Sequence, residues 1–297
     1  MKKEQETILS PGWKRERKPA ACVIGLGLIG GSWAGALAEL GWSVSAVECN
    51  ENSLKLALDK GWIQEGWTEE PDFLDVDLVI LATPISVLTE SFARIAQRVP
   101  AGALITDVGS IKREICQTAL ELTNVFFIGG HPMAGSEKQG FQEANPKLFV
   151  GYPYVVTPHP QCPQEVIDKF THLLQEIGAR VIFRQELEHD QEVAMVSHLP
   201  HVLSLALALA AAEGYREGKP LELAGRSFRD ITRLVDSCPE MWKYILLQNS
   251  SAVLSSLDIW EKKLREIRTF IEDGQGDKLV ETFVKAQKVR EQVLDRR

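Results

Sequence analysis

A short apolar run, Ala21-Cys-Val-Ile24, passes directly into Gly25-Leu-Gly27-Leu-Ile-Gly30, and a stretch of small residues (Gly31, Ser32, Ala34, Gly35, Ala36, Ala38) carries on to Gly41. This order of strand, GxGxxG and small-residue helix restricts the chain to few architectures. Gly25 permits the tight turn, Gly27 lets the backbone approach a pyrophosphate, and Gly30 lets helix and strand pack closely. The helix N-terminus, with Leu28 and Ile29 in its first turn, then faces the phosphates. The second apolar run ends in an acid, Glu48, near the spacing expected for a residue that binds the adenosine ribose. A carboxylate there accepts hydrogen bonds from the ribose hydroxyls and repels a 2′-phosphate. Cys49, Asn50, Glu51 and Asn52 supply no arginine to bind one. The expected ligand is therefore NAD, with NADP disfavoured. The competing reading of Glu48 is a solvated carboxylate at a strand end.

The rest of the first half keeps the same rhythm. Strands are expected at Ala21–Ile24, Ser43–Glu48, Leu78–Ala82, Ala103–Asp107 and Val125–Ile128, then at Tyr154–Thr157 and Arg180–Phe183 around a helix that starts near Pro163. Short Val/Ile/Leu-rich runs separated by amphipathic stretches are the mark of a parallel sheet covered on both faces. From about Gln185 helical patterns take over. Trp242, Ile245, Leu246, Val253, Leu254, Leu257, Trp260, Leu264, Ile267 and Ile271 recur mostly at three- and four-residue steps. The fold class is thus α/β: a Rossmann-type dinucleotide-binding domain over residues 20–184, followed by an all-α helical domain over 185–297. Residues 1–19 are polar, with two prolines, and read as a loose lead-in.

Composition narrows the class of partner. The net charge is −8, with no basic stripe, so nucleic acid is not an expected partner. The longest near-continuous apolar run, Leu203–Ala212, is too short to span a bilayer, and the N-terminus has no apolar core of a signal peptide. Five cysteines (22, 49, 116, 162, 238) form neither a CxxC nor a zinc spacing, which fits a reducing cytoplasm.

In sheets of this kind ligands bind beyond the carboxyl ends of the strands. The third strand ends in Thr83-Pro84, a rigid turn expected beside the nicotinamide. The fourth ends in Thr106-Asp107-Val-Gly109-Ser110-Ile-Lys112, with Asp107 expected at the cofactor. The fifth ends in Ile128-Gly-Gly-His131-Pro-Met-Ala-Gly-Ser-Glu137. Such density of small residues reads as a loop just past the strand, holding a lone imidazole close to the cofactor. Oxidation of an alcohol by a hydride acceptor needs a base for the hydroxyl proton, and a neutral imidazole suits it. His131 is the candidate; the alternative is a loop histidine bonded to backbone. Ser110 either fixes that imidazole, holds the substrate hydroxyl, or caps a helix expected over Ile111–Leu122.

In the helical half, Ser197-His198-Leu-Pro-His201 sets two histidines three apart on one face. Spacing places no third ligand, so no metal is expected. Substrate contact and polar packing at a helix end stay open. Arg229 and Arg233 are four apart and share a helix face. Guanidinium groups there suit an anionic substrate, or they belong to a solvated face with Asp230 as local partner. Trp242 is pocket lining or plain core.

Taken together, Val23–Ser32, Thr106–Lys112, Gly129-Gly-His-Pro-Met-Ala-Gly135, Ser197–His201 and Phe228–Arg233 resemble, in order, the motifs of the prephenate/arogenate dehydrogenases of tyrosine biosynthesis. The resemblance implies oxidative decarboxylation of prephenate to 4-hydroxyphenylpyruvate with hydride transfer to NAD. It implies that His131 contacts the ring hydroxyl, with Ser110 beside it, and that Arg233 binds a carboxylate with Arg229 as a second cation. His198 and His201 are then near substrate or nicotinamide, Trp242 lines the pocket, and Glu137 and Asp230 are charged partners at the cleft mouth. It further implies a homodimer built through the helical domain, and an enzyme core without a fused chorismate mutase or regulatory ACT domain. Arogenate is the nearest alternative substrate and keeps every role. A β-hydroxyacid dehydrogenase is more distant, since no Lys-x-x-x-Asn pair occurs. A non-catalytic NAD-binding sensor would have no need of His131 and the arginines.

Overall fold

A strand with the sequence AACVI carries nothing to present to water, and β1 (Ala20–Ile24) is buried along its whole length. It pairs in parallel with β2 (Ser43–Val47) on one side and with β4 (Leu78–Leu81) on the other. β2 continues outward to β3 (Glu65–Trp67). On the other side, β4 leads to β5 (Leu104–Asp107), β6 (Phe126–Pro132), β7 (Pro153–Pro158) and β8 (Arg180–Phe183). The order is β3-β2-β1-β4-β5-β6-β7-β8, parallel at every pairing except β6 with β7. The computed structural model describes residues 17–122, 124–135, 138–213 and 220–294. Most of the expected lead-in, residues 1–16, and Glu137 lie outside them.

Side-chain alternation along these strands builds two cores. Ala21, Val23, Val44, Ile80 and Leu104 pack with α1 (Leu28–Glu39), α2 (Glu51–Asp59) and α5 (Gln164–Glu176). Cys22, Ile24, Val79, Leu81 and Ile105 pack with α3 (Leu88–Ile95) and α4 (Arg113–Ala119). Both faces are therefore covered, as a near-continuous apolar strand requires. Chain direction reverses its spread between β1 and β4, and that switch point opens a crevice beyond their carboxyl ends.

Three expectations change. β3 was not anticipated: Glu65-Gly-Trp67 is a three-residue edge strand without an apolar run. The helix expected over 111–122 is confined to Arg113–Ala119. The GGHP segment is not a loop, because β6 runs on through Pro132, with His131 opposite Val155 of β7. Its glycines answer a packing need: a Cβ on Gly130 would lie 2.5 Å from the Asp107 carbonyl oxygen, and one on Gly129 would lie 3.1 Å from Lys112 Cδ.

From Glu186 onward every described element is helical. α6 (Glu186–Val193), a π turn over Ala194–His198 and α7 (Leu199–Glu213) form one continuous helix of 28 residues. Pro200 explains the wide turn, since its ring would collide with the carbonyl one α-turn back. The apolar run read as too short for a bilayer is the second half of this helix. With a mean hydropathy of 1.7 in its best window, the helix is long and apolar enough to cross one. Only 28% of that window is buried, while the first half of the helix contacts the sheet domain through His189 and Asp190. α8 (Arg226–Thr232), α9 (Pro239–Gln248), α10 (Ser250–Glu272) and α11 (Gly276–Leu294) complete the chain.

Candidate active site

The glycine turn is built by sterics. Gly25 has φ +94°, and a Cβ there would stand 2.6 Å from the Ala82 carbonyl oxygen; one on Gly30 would stand 1.9 Å from Gly25 O. Gly27 differs, because a Cβ added to it meets nothing within 4 Å. Its bareness leaves space above the turn. Gly27 is also the N-cap of α1 and offers no side-chain oxygen to the first-turn N–H groups of Leu28, Ile29 and Gly30. Open space over uncapped amides is an anion cradle. Glu48 closes its far side: Oε2 accepts the Leu26 N–H at 2.7 Å and Oε1 the Asn50 N–H at 2.9 Å. Thr83 Oγ1 is buried without a partner beside the Gly25 turn, and Pro84 follows, exposed. An open cradle, an orphaned hydroxyl and a carboxylate with no cation on it among the described residues fit a dinucleotide, and fit NAD better than NADP.

Asp107 does not serve as expected. It is fully buried, and its carboxylate contacts the Lys112 ammonium and accepts the N–H groups of Gly109 at 2.8 Å and Gly130 at 3.1 Å. It is a clamp between the β5 end and β6, with no face left for a cofactor. The loop it holds presents Ser110, half-buried, three residues before α4. Ser110 is not the cap of that helix. Lys112 holds that position, and Asp190 of α6 accepts the N–H groups of Lys112 at 2.8 Å and Arg113 at 3.0 Å.

His131 is 8% exposed at the crevice end of β6. Burial pushes its pKa well below the ordinary 6.5, and the neighbouring His189, Lys112 and His198 add to the shift. Its Nδ1 lies 2.8 Å from His189 Nε2, and His189 Nδ1 lies 2.7 Å from Asp190 Oδ1. A chain of buried polar groups thus runs from the sheet into the helical half.

The other candidates gather around the π turn. His198 is buried, with Nδ1 3.2 Å from Asn249 Nδ2, and burial lowers its pKa to about 4. His201 stacks on Trp242 with ring centroids 3.5 Å apart, while its Nδ1–H donates to the Ser197 carbonyl at 3.0 Å. Trp242 is part-exposed and keeps a buried indole N–H without a partner, so it is a wall of this cluster and not plain core. Arg233 lies close enough to His201 to lower its pKa, though burial is the larger cause. Arg229, exposed like Arg233, lies four residues before it on α8. Asp230 pairs with Arg226 at 3.3 Å. Among the described residues no group of three His, Cys, Asp or Glu side chains is set to hold a metal.

Sequence reasoning missed four members of this site: Lys112, His189, Asp190 and Asn249. Lys112 stood in a quoted motif without a role. The signal for the others was weak: two adjacent polar residues in a helix, and an asparagine between two helices.

Residues 33–183 match the family model described as prephenate dehydrogenase, nucleotide-binding domain, and residues 185–285 match prephenate dehydrogenase, dimerization domain. Prephenate dehydrogenase of Bacillus subtilis is 32% identical over 290 residues, covering 93% of this chain and 76% of that protein. A structure of prephenate dehydrogenase from A. aeolicus, in complex with hydroxyphenyl propionate and NAD+, superposes with TM-score 0.87 at 27% identity, covering 93% of this chain and 99% of that one. The structure of Synechocystis arogenate dehydrogenase superposes with TM-score 0.82 at 31% identity, covering 92% and 99%.

Proposed function

The chain belongs to the prephenate dehydrogenase family, and on that premise we propose that it oxidatively decarboxylates prephenate to 4-hydroxyphenylpyruvate with NAD. The observation that carries this reading is His131: a buried imidazole held neutral at the crevice end of β6, one hydrogen bond from the helical half. Residues 20–184 hold the cofactor in this account, and 185–297 supply the substrate wall and the dimer contact.

Gly25, Gly27, Gly30 and the Leu28–Ile29 turn hold the pyrophosphate, Glu48 the adenosine ribose, and Thr83-Pro84 the nicotinamide end. Bound there, NAD supplies the acceptor for the hydride that leaves the carbinol carbon of the substrate. His131 takes the proton of the ring hydroxyl as that C–H bond breaks. The ring C–CO2 bond breaks in the same process, its electron pair completes the aromatic ring, and CO2 departs. His131 then returns its proton to the phenolate oxygen, so the reaction releases no net proton. Arg233 binds a substrate carboxylate, with Arg229 as an outer cation. His201 and Trp242 form a flat wall, His198 backs it, and Ser110 steadies the hydroxyl end. Exclusion of water strengthens each of these contacts.

Arogenate is the second reading, favoured by the match to the Synechocystis structure. It differs only at the side-chain end, where an acid would meet the ammonium. Exposed Leu209, Leu254, Ile271 and Phe283 on α7, α10 and α11 support a homodimer through the helical half. The cysteines of the described residues are all free thiols, which supports a cytoplasmic setting.

The test is steady-state formation of reduced nicotinamide with prephenate and arogenate, each against NAD and NADP. A large kcat/KM advantage for prephenate with NAD is expected. A preference for arogenate would transfer the reading to that substrate, and turnover of neither would end it.

A further inference from the structure

Asp190 is an acceptor at both oxygens. Oδ2 takes the Arg113 N–H, while Oδ1 takes the Lys112 N–H and faces His189 Nδ1. A carboxylate only accepts, and both of these oxygens already take backbone N–H groups, so His189 Nδ1 is the donor of its contact. Asn249 fixes the same residue from behind by donating its amide N–H to the Asp190 carbonyl oxygen at 2.7 Å. With the proton of His189 on Nδ1, Nε2 is bare. In a neutral imidazole that bare nitrogen is an acceptor. The 2.8 Å contact then requires His131 Nδ1–H to donate to His189 Nε2. The remaining nitrogen of His131, Nε2, is left as a lone pair.

We propose that His189 and Asp190 are positioning residues that hold His131 in the one tautomer whose Nε2 is the base, and that Asp190, through the backbone of Lys112 and Arg113, holds the Ser110 loop in the same frame. One carboxylate of the helical half would thus set both the protonation pattern of the base and the place of its neighbour. The catalytic meaning rests on the function proposed above; the tautomer itself does not.

The chain has six histidines, few enough for protein labelled with 15N-histidine to be read by long-range 1H–15N correlation. That experiment separates protonated from bare ring nitrogens, and His131→Asn identifies the His131 signals by their loss. The wild-type protein should show His131 with Nδ1 protonated and Nε2 bare. His189→Leu removes the acceptor and should give mixed tautomers, with kcat lowered roughly tenfold or more and KM for NAD little moved. His189→Gln offers an amide oxygen in the same place and should recover most of both losses. A protonated Nε2 in the wild type, or an unchanged His131 tautomer in His189→Leu, would overturn the proposal. Because the tautomer is read without substrate, failure to turn over prephenate would sink the functional reading alone.

Discussion

The ammonium of Lys112 rests against the carboxylate of Asp107, and neither side chain reaches solvent. Asp107 also holds Gly109 and Gly130 by their N–H groups, so one carboxylate fastens the Ser110 loop to the strand that carries His131. The buried pair is part of the scaffold of the site.

Lys112→Met should therefore destabilise the protein by about 3–5 kcal/mol, because it leaves a buried carboxylate without its cation. Urea unfolding checks this, and a loss under about 1 kcal/mol, the size of an exposed pair, would contradict it. The same change removes a cation that lowers the pKa of His131. Any activity that remains should begin to fail at a higher pH than in the wild type.

Arg233→Ala should raise KM for the substrate by roughly ten- to hundredfold, the worth of a charge-assisted hydrogen bond, while kcat changes less. Arg229→Ala should do less, since Arg233 is the arginine whose charge reaches His201. Equal effects at the two positions would show that the carboxylate is bound elsewhere.

Glu48→Ala has two consequences. The Leu26 N–H loses its acceptor, which loosens the glycine turn and weakens every dinucleotide. Loss of the negative charge removes the repulsion of a 2′-phosphate, so the NAD/NADP ratio of kcat/KM should fall, on the order of tenfold. The ratio is the diagnostic quantity, and an unchanged ratio would refute the ribose role.

Acid should destabilise the fold earlier than carboxylate chemistry alone requires. His198 has a pKa of about 4 in the folded chain against an ordinary 6.5. Between those values the unfolded chain binds the proton and the folded chain does not, so stability falls as pH drops through that window. The slope is at most about 1.4 kcal/mol per pH unit for each such histidine. Unfolding free energy measured from pH 7 to pH 4 should show it, and His198→Gln should flatten it.

The β1–glycine turn–α1 unit was legible because its constraints are local: a fully apolar strand, a turn that only glycine can make, and small residues that let the helix approach. The remaining inner strands were legible as short apolar runs. What escaped depends on partners distant in the chain. His131 and His189 are 58 positions apart, and Lys112 meets Asp190 across 78. The extension of β6 through GGHP depends on pairing with β7, which turns glycines that look like loop residues into strand residues. Asp107 was misjudged for the same reason. Its place at a strand end was correct, but the burial that commits its carboxylate to Lys112, Gly109 and Gly130 is a property of the folded chain.

The central claim is that His131 is the base, and His131→Asn tests it most directly. Its kcat should fall by about 10²–10⁴, the usual worth of general base catalysis, while NADH affinity stays close to that of the wild type. Wild-type kcat should in turn stay level through neutral pH and fall only in acid well below 6.5, where His131 gains a proton. Turnover near the wild-type rate in His131→Asn would contradict the account.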